Sequence, residues 1–202
     1  GFASTRESNV SATIGNNAPV LEAIDGPGGN TISDQSVTED SITDLLVTFT
    51  VTDTNGVDDI NLATANVTFY NSTYASGDVN YLSTNTSCDN TANISGSQMN
   101  ISCTIEISYW YTNGEWNITA GITDYQSASS GNVTNITIAS TTAIVIGPTS
   151  ISFTGLALGV ENNTAGDDPI VVNNTGNYYV SANNVRVAGL DLVGEVTDTQ
   201  AI

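Results

Sequence analysis

Apolar and polar residues alternate along several segments of this chain, and this period of two constrains its fold more than any other feature. In residues 45–52, Leu45, Val47 and Phe49 fall on one side of the alternation and Thr48 and Thr50 on the other. Because successive side chains of a β-strand point to opposite faces, the pattern predicts a strand with one buried face. The same alternation recurs in residues 65–69, 100–107, 116–123, 132–138 and 143–146. With turn residues between these segments and no helical periodicity, we predict an all-β, antiparallel β-sandwich architecture.

Gly147-Pro148 interrupts the pattern and predicts a domain boundary. We expect an extended N-terminal segment at 1–18, a first sandwich at 19–147 and a second, smaller sandwich unit at 148–202. Five short strands are predicted in the second unit, at 151–158, 170–172, 178–180, 185–187 and 190–193. A unit of this size is small for a sandwich that must build its core alone.

The N-terminal segment carries a short alternating stripe of its own. Val10, Ala12 and Ile14 fall on one face, ahead of the first predicted module. An extended segment with a spare apolar face can complete a sheet in another subunit, which would make a head-to-tail polymer. The alternative is that residues 8–14 form a strand of the first sandwich in the same chain, and the sequence leaves both interpretations open.

The chain contains eleven Asn-X-Ser/Thr triplets, and each is a candidate N-glycosylation site in an exported protein. Composition alone gives about six such triplets by chance, so roughly half the signal reflects abundant Asn, Ser and Thr. The candidate acceptors are Asn9, Asn66, Asn71, Asn85, Asn93, Asn100, Asn117, Asn132, Asn135, Asn162 and Asn173.

Two cysteines, Cys88 and Cys103, lie close together in the sequence. Such a pair in an exported chain is expected to form a disulfide, and the alternative is two buried free thiols. A disulfide and N-glycans both place the protein outside the cell or on its surface.

The charge balance excludes several classes of function. There are 21 acidic residues but only two basic ones, Arg6 and Arg186, and the net charge is −19. Nucleic acids and anionic membrane surfaces need a cationic footprint that two arginines do not provide. The chain has no Lys or His, which excludes catalytic Ser-His-Asp arrangements and Schiff-base chemistry. We therefore expect no enzymatic activity and no membrane insertion.

Calcium is the cofactor that the remaining side chains favour. Asp53, Asn55, Asp58 and Asp59 bring oxygen ligands into one loop around Gly56, as a hard cation requires. The alternative is an ordinary solvated turn, because Asp and Asn also favour turns. Similarly, the aromatic residues of 109–111 and Trp116 are either a sugar-stacking surface or hairpin packing, and packing is favoured.

Two segments resemble known modules. Residues 111–124, which contain Trp116-Asn-Ile-Thr-Ala-Gly-Ile-Thr-Asp124, and then residues 130–138 resemble the last hairpin of an immunoglobulin-like module. They are similar to the PKD and cadherin-like modules of microbial surface proteins, and residues 49–60 resemble an early strand and loop of the same modules. The resemblance covers residues 19–147 and implies an immunoglobulin-like unit there, without implying an activity. Together with the strands predicted at 148–202, it leads us to expect two tandem immunoglobulin-like sandwich units, the second of which a strand from another subunit could complete.

These observations favour a structural subunit of an extracellular, glycosylated filament or surface layer. We expect its partners to be copies of itself, joined non-covalently by strand addition, and N-linked glycans. The assembly would be similar to archaeal surface threads and bundling pili. The alternative is a calcium-dependent adhesin or a glycan-binding stalk module of a larger cell-surface protein.

Overall fold

The computed structural model describes residues 15–71, 73, 82–156, 161, 163–167, 169–186, 188, 192–193 and 199–200. Within these residues the chain forms thirteen β-strands and two short 3-10 turns, at Pro27–Gly29 and Val57–Asp59. The strands are β1 (Val20–Asp25), β2 (Gln35–Ser36), β3 (Ile42–Thr52), β4 (Ile60–Tyr70), β5 (Leu82–Asn85), β6 (Asp89–Ser95), β7 (Gln98–Ser108), β8 (Gly114–Asp124), β9 (Ser129–Ala139), β10 (Ile144–Gly147), β11 (Val171–Asn174), β12 (Leu192–Val193) and β13 (Thr199–Gln200). The prediction of an all-β protein is confirmed.

The strands form two large sheets and two small ones. One large sheet has the order β1-β3-β7-β6, and the other has the order β2-β9-β8-β4-β5. The pairs β1–β3, β6–β7, β4–β5 and β4–β8 are antiparallel. The small sheets are the antiparallel pairs β10–β11 and β12–β13.

The predicted period of two determines which face of each long strand is buried. In β3 the side chains of Val47, Phe49 and Val51 are buried, whereas the intervening threonines are only partly covered. The same alternation appears in β4, β7 and β8, each of which is eleven residues long. Full burial of one such apolar side chain stabilises the folded state by roughly 1.5–3 kcal/mol.

Aromatic packing marks the centre of the second large sheet. Trp116 in β8 and Phe69 in β4 are fully buried, and their rings stack with centroids 4.6 Å apart. Burial makes Trp116 a core residue rather than part of a sugar-binding surface. Trp110, in contrast, is about half exposed and meets Tyr109 edge to face.

A disulfide joins Cys88, just before β6, to Cys103 in β7, as the sequence predicts. All seven residues of β6 are exposed, so this polar edge strand buries little of its own surface. The disulfide therefore attaches the strand to β7 where packing contributes little. Among the described residues, no helix is long and apolar enough to cross a membrane.

The described residues form two compact units. The first draws on Gly1–Gln35, Asp44–Ile107 and Glu115–Thr137, and the second on Ser36–Thr43, Ser108–Gly114 and Ile138–Ile202. In the second unit, β10 pairs with β11, and Gly147, the last residue of β10, lies opposite Val171.

The second unit differs from the five strands predicted for it. Residues 151–156 and 178–180 are not strands, and neither are residues 185 and 186. Gly155 has a left-handed φ of 71°, and Asn183 has a φ of 76°, conformations that break a strand. The remaining predicted strand residues in 157–158, 187 and 190–191 lie outside the described residues.

We expect Cys88→Ser to lower the free energy of unfolding by about 3 kcal/mol, because the disulfide closes a loop of about 15 residues in the unfolded chain. Cys103 would remain as a small buried apolar side chain and leave no cavity. Denaturant unfolding measures the change. Thr86→Ala, an exposed change that keeps both the bridge and the Asn85 triplet, is the matched control, and a Cys88 variant as stable as that control would contradict the prediction.

Candidate functional site

Three carboxylates meet at one end of the first unit. Asp53 follows β3, Asp59 precedes β4 and Asp124 ends β8, and their nearest oxygens all lie within 4.8 Å of one another. The cluster is assembled by the fold, because antiparallel strands bring the end of β8 beside the start of β4. Ile60 is paired with Asp124 in that register.

Asp53 is the most deeply buried member of this carboxylate cluster. Its side chain is 0% exposed. Oδ1 accepts a hydrogen bond of 2.7 Å from the backbone N–H of Asn55, whereas Oδ2 has no hydrogen-bond partner among the described residues. A buried carboxylate oxygen without a partner is costly in free energy, so this atom requires an explanation.

Asp124 is also buried but is surrounded by donors. Its Oδ1 accepts hydrogen bonds from the backbone N–H groups of Gln126 and Ala128, at 2.9 and 2.8 Å. Its Oδ2 accepts a 2.7 Å hydrogen bond from Nδ2 of Asn16. Burial acts to raise the pKa of Asp124, but these hydrogen bonds outweigh it and the pKa is lowered. The carboxylate is therefore held in its charged form.

The loop from Asp53 to Asp59 has a fixed backbone. Gly56 has a φ of 112°, in the region that glycine adopts without strain, and its N–H donates to the carbonyl of Asp53. The carbonyl of Asp59 accepts a 2.9 Å hydrogen bond from the N–H of Tyr125, which lies in the β8–β9 turn. The two loops that carry the carboxylates are thus joined through the backbone.

Residues 15–17 contact both of these loops. Asn55 accepts a 2.9 Å hydrogen bond from the N–H of Asn17 and donates through Nδ2 to the carbonyl of Gly15. Asn16 donates to Asp124, as described above. The segment that leads into β1 is therefore held by the same loops that form the carboxylate cluster.

The cluster differs from the calcium ligands predicted from sequence. It includes Asp53 and Asp59, but Asp58 is exposed and lies outside it. The side chain of Asn55, also predicted as a ligand, hydrogen-bonds to the backbone of Gly15 and Asn17. Asp124 was not predicted as a ligand, because 65 residues separate it from Asp59 in the sequence. The signal that could have identified it is its position at the end of an alternating strand.

A second feature is the two-stranded sheet of β10 and β11, called here the apolar ribbon (residues 144–147 and 171–174). Ile146 lies opposite Val172, so Ile144, Ile146 and Val172 share one face. Val145 and Val171 are on the other face. All five side chains are exposed, by 36–50%.

Apolar side chains outside the ribbon are also uncovered. Ile151, Phe153, Leu156 and Ile170 lie in the connection between β10 and β11 and are exposed by 39–48%. Within the described residues, then, no layer covers this part of the second unit as the core layers cover β3 and β4. The predicted assembly residues Val10, Ala12 and Ile14 lie outside the described residues.

The glycosylation triplets differ widely in exposure. Asn71 is buried, and its Oδ1 accepts a 2.9 Å hydrogen bond from the N–H of Thr73. Four acceptors are half-buried on strands: Asn66, Asn85, Asn100 and Asn117. Four are exposed: Asn93, Asn132, Asn135 and Asn173. Asn9 and Asn162 lie outside the described residues.

Comparison with models of known protein families, and with the sequences of curated proteins, finds no match for this chain.

We expect glycans on the four exposed acceptors and none on Asn71, because an amide buried by the fold does not reach a transferase after folding. Glycopeptide mass spectrometry of protein from its native source measures occupancy site by site. A fully occupied Asn71, or four bare exposed acceptors, would contradict the prediction.

Proposed function

We propose that the protein is a structural subunit of an extracellular, N-glycosylated filament or surface layer that assembles by strand addition between copies. The observation that carries this proposal is the apolar ribbon, where Ile144, Ile146 and Val172 share an exposed face. An isolated two-stranded sheet is marginally stable in water and needs a further strand or layer. Exposed clustered apolar side chains of this kind mark interaction surfaces.

The strand order supports an immunoglobulin-like module at the centre of the subunit. The order β1-β3-β7-β6 corresponds to the A-B-E-D sheet of such a sandwich, and β9-β8-β4 corresponds to the G-F-C sheet. The fully buried pair Phe69 and Trp116 would then lie on strands C and F. Modules of this type suit repeated surface structures because their loops and edges are free to vary.

The glycan pattern favours one face of the ribbon for assembly. Asn173 is a candidate acceptor and lies opposite Val145, so a glycan there would cover the face that carries Val145 and Val171. The face of Ile144, Ile146 and Val172 carries no acceptor. Covering these three half-exposed side chains would contribute on the order of 1 kcal/mol each.

The partner that fits the ribbon is the N-terminal segment of another copy, added at a ribbon edge so that its apolar side chains extend the face of Ile144, Ile146 and Val172. Val10, Ala12 and Ile14 alternate with polar residues, so in an extended conformation they would place three apolar side chains on one face. Strand addition joins such a segment by backbone hydrogen bonds and uses the apolar side chains for specificity. Because donor and acceptor are different surfaces, the contact is heterologous and makes a polymer.

The acidic cluster favours a rival function, a calcium-dependent adhesin or a glycan-binding stalk module. Asp53, Asp59 and Asp124 form a donor set that suits a hard cation. A subunit polymerises without added ligand, whereas a stalk module stays monomeric and is retained on a glycan or cell surface when calcium is present.

Deletion of residues 1–15 should convert polymers into soluble monomers, because the proposed donor strand is lost. Electron microscopy and sedimentation measure the change. Polymers that persist after the deletion would refute the N-terminal donor.

The acceptor face is tested with a matched pair of double variants. We expect Ile146→Thr with Val172→Thr to abolish polymerisation, since threonine keeps the strand propensity but adds a hydroxyl to the docking face. Val145→Thr with Val171→Thr makes equivalent changes on the opposite face and should leave polymers intact. Equal sedimentation of the two variants would contradict the assignment of the docking face.

A further inference from the structure

We propose that Asp53, Asp59 and Asp124 bind one calcium ion, and that the bound ion fixes residues 15–17 and with them the start of the N-terminal segment. Any effect of calcium on assembly rests on the proposed function, whereas calcium binding and the ordering of residues 15–17 do not depend on it. A hard divalent cation is the ligand class, because every side-chain donor in the cluster is a carboxylate oxygen.

The buried carboxylate of Asp53 is the first observation that favours a bound cation. The Asp53 side chain is fully buried, Oδ2 finds no hydrogen-bond partner in the part of the chain that the structure describes, and two further carboxylates lie within 4.8 Å. Burial and like charges both disfavour three carboxylates in one place. A bound cation reverses both effects, since it supplies the missing partner and the compensating charge.

The described part of the protein provides no cation that pairs with the three carboxylates. Arg186 is the only basic side chain described, and its Nε donates to the backbone carbonyl of Asn183. With 21 acidic residues against two basic ones in the sequence, a cation from solution is the compensating charge that we propose for the cluster.

The spacing of the three carboxylate oxygens also suits a calcium ion. Calcium binds oxygens at about 2.4 Å, so two of its ligands lie up to about 4.8 Å apart. Carboxylate oxygens that lie within 4.8 Å of one another can share a calcium ion. Water and amide or backbone oxygens would complete its six to eight ligands.

Hydrogen bonds connect the loops of the proposed calcium site to residues 15–17. Asp53 and Asp59 flank Asn55, which holds Gly15 and Asn17, and Asp124 accepts from Asn16. Repulsion among the three carboxylates opposes these hydrogen bonds, and a bound cation removes that repulsion. With the ion, the loops and the segment form one ordered unit, which fixes the direction in which the N-terminal segment leaves the first module.

Binding is measured by titrating calcium chloride into the full-length, EDTA-treated protein in a calorimeter. To keep polymerisation out of the measurement without adding carboxylates near the site, every protein in the comparison carries Val10→Thr and Ile14→Thr. In this background Asp53→Asn should weaken binding by tenfold or more, since it removes a charged ligand. Asp58→Asn removes the same charge from an exposed neighbour and should keep the affinity within about twofold. Absence of binding in the background protein, or equal losses in the two variants, would overturn the proposal.

Thermal unfolding in EDTA separates a binding role from a purely structural one. The Asp53→Asn variant should unfold at a temperature equal to or above that of the background protein in EDTA, because the change removes a buried charge. It should also lose the calcium-induced increase in melting temperature that the background protein shows. A variant that is less stable in EDTA and still gains stability from calcium would show that Asp53 is structural and overturn the proposal.

Ordering is read from hydrogen exchange at the Asn17 amide, which donates to Asn55 Oδ1. Calcium should slow this exchange by about tenfold or more in the background protein and leave it unchanged with Asp53→Asn. Calcium binding without any change in the hydrogen-exchange rate of the Asn17 amide would overturn the proposal that the ion orders residues 15–17. If binding and ordering are found but the native chain never polymerises, the proposed function fails and this inference stands.

Discussion

Covering the apolar face of each strand is the interaction on which the rest of the structure depends. In β3, β4, β7 and β8 the alternate side chains are buried, and the stacked rings of Phe69 and Trp116 lie among them. The apolar ribbon has the same composition but not the same cover. The difference between the two regions is the availability of a second layer, and we infer that another copy supplies it.

The carboxylate cluster creates a similar requirement, in this case for positive charge instead of apolar cover. The fold gathers three carboxylates, one of them fully buried, in a chain that has almost no basic residues. We therefore infer that the protein takes positive charge, as well as apolar cover, from its surroundings. An exported subunit meets both requirements, because calcium, sugar and further copies are the partners proposed for it.

The sequence predicts the long strands well, because their stripes are buried and the alternation is therefore strict. Residues 45–52, 100–107 and 116–123 lie within β3, β7 and β8. It fails at 151–156, where the apolar residues are exposed, so their spacing is not constrained by a core. The short strands β1 and β5 and the polar strand β6 carry little periodic signal.

The candidate site is predictable only in its local part. Asp53 and Asp59 share one loop, so their proximity follows from the sequence. Asp124 joins them through the pairing of β4 with β8, a contact between distant positions that no local pattern contains. The role of Asn16 is hidden for the same reason, since its partner is 108 residues away.

Backbone hydrogen exchange of the full-length chain, measured in the polymer and after dilution to monomer, tests the central claim most directly. If the apolar ribbon is completed by another copy, amides in β10 and β11 are protected in the polymer and exchange rapidly in the monomer. Amides in β3, β4, β7 and β8 keep their protection in both states, because their cover comes from the same chain. A ribbon that is equally protected in a monodisperse single chain would contradict the account.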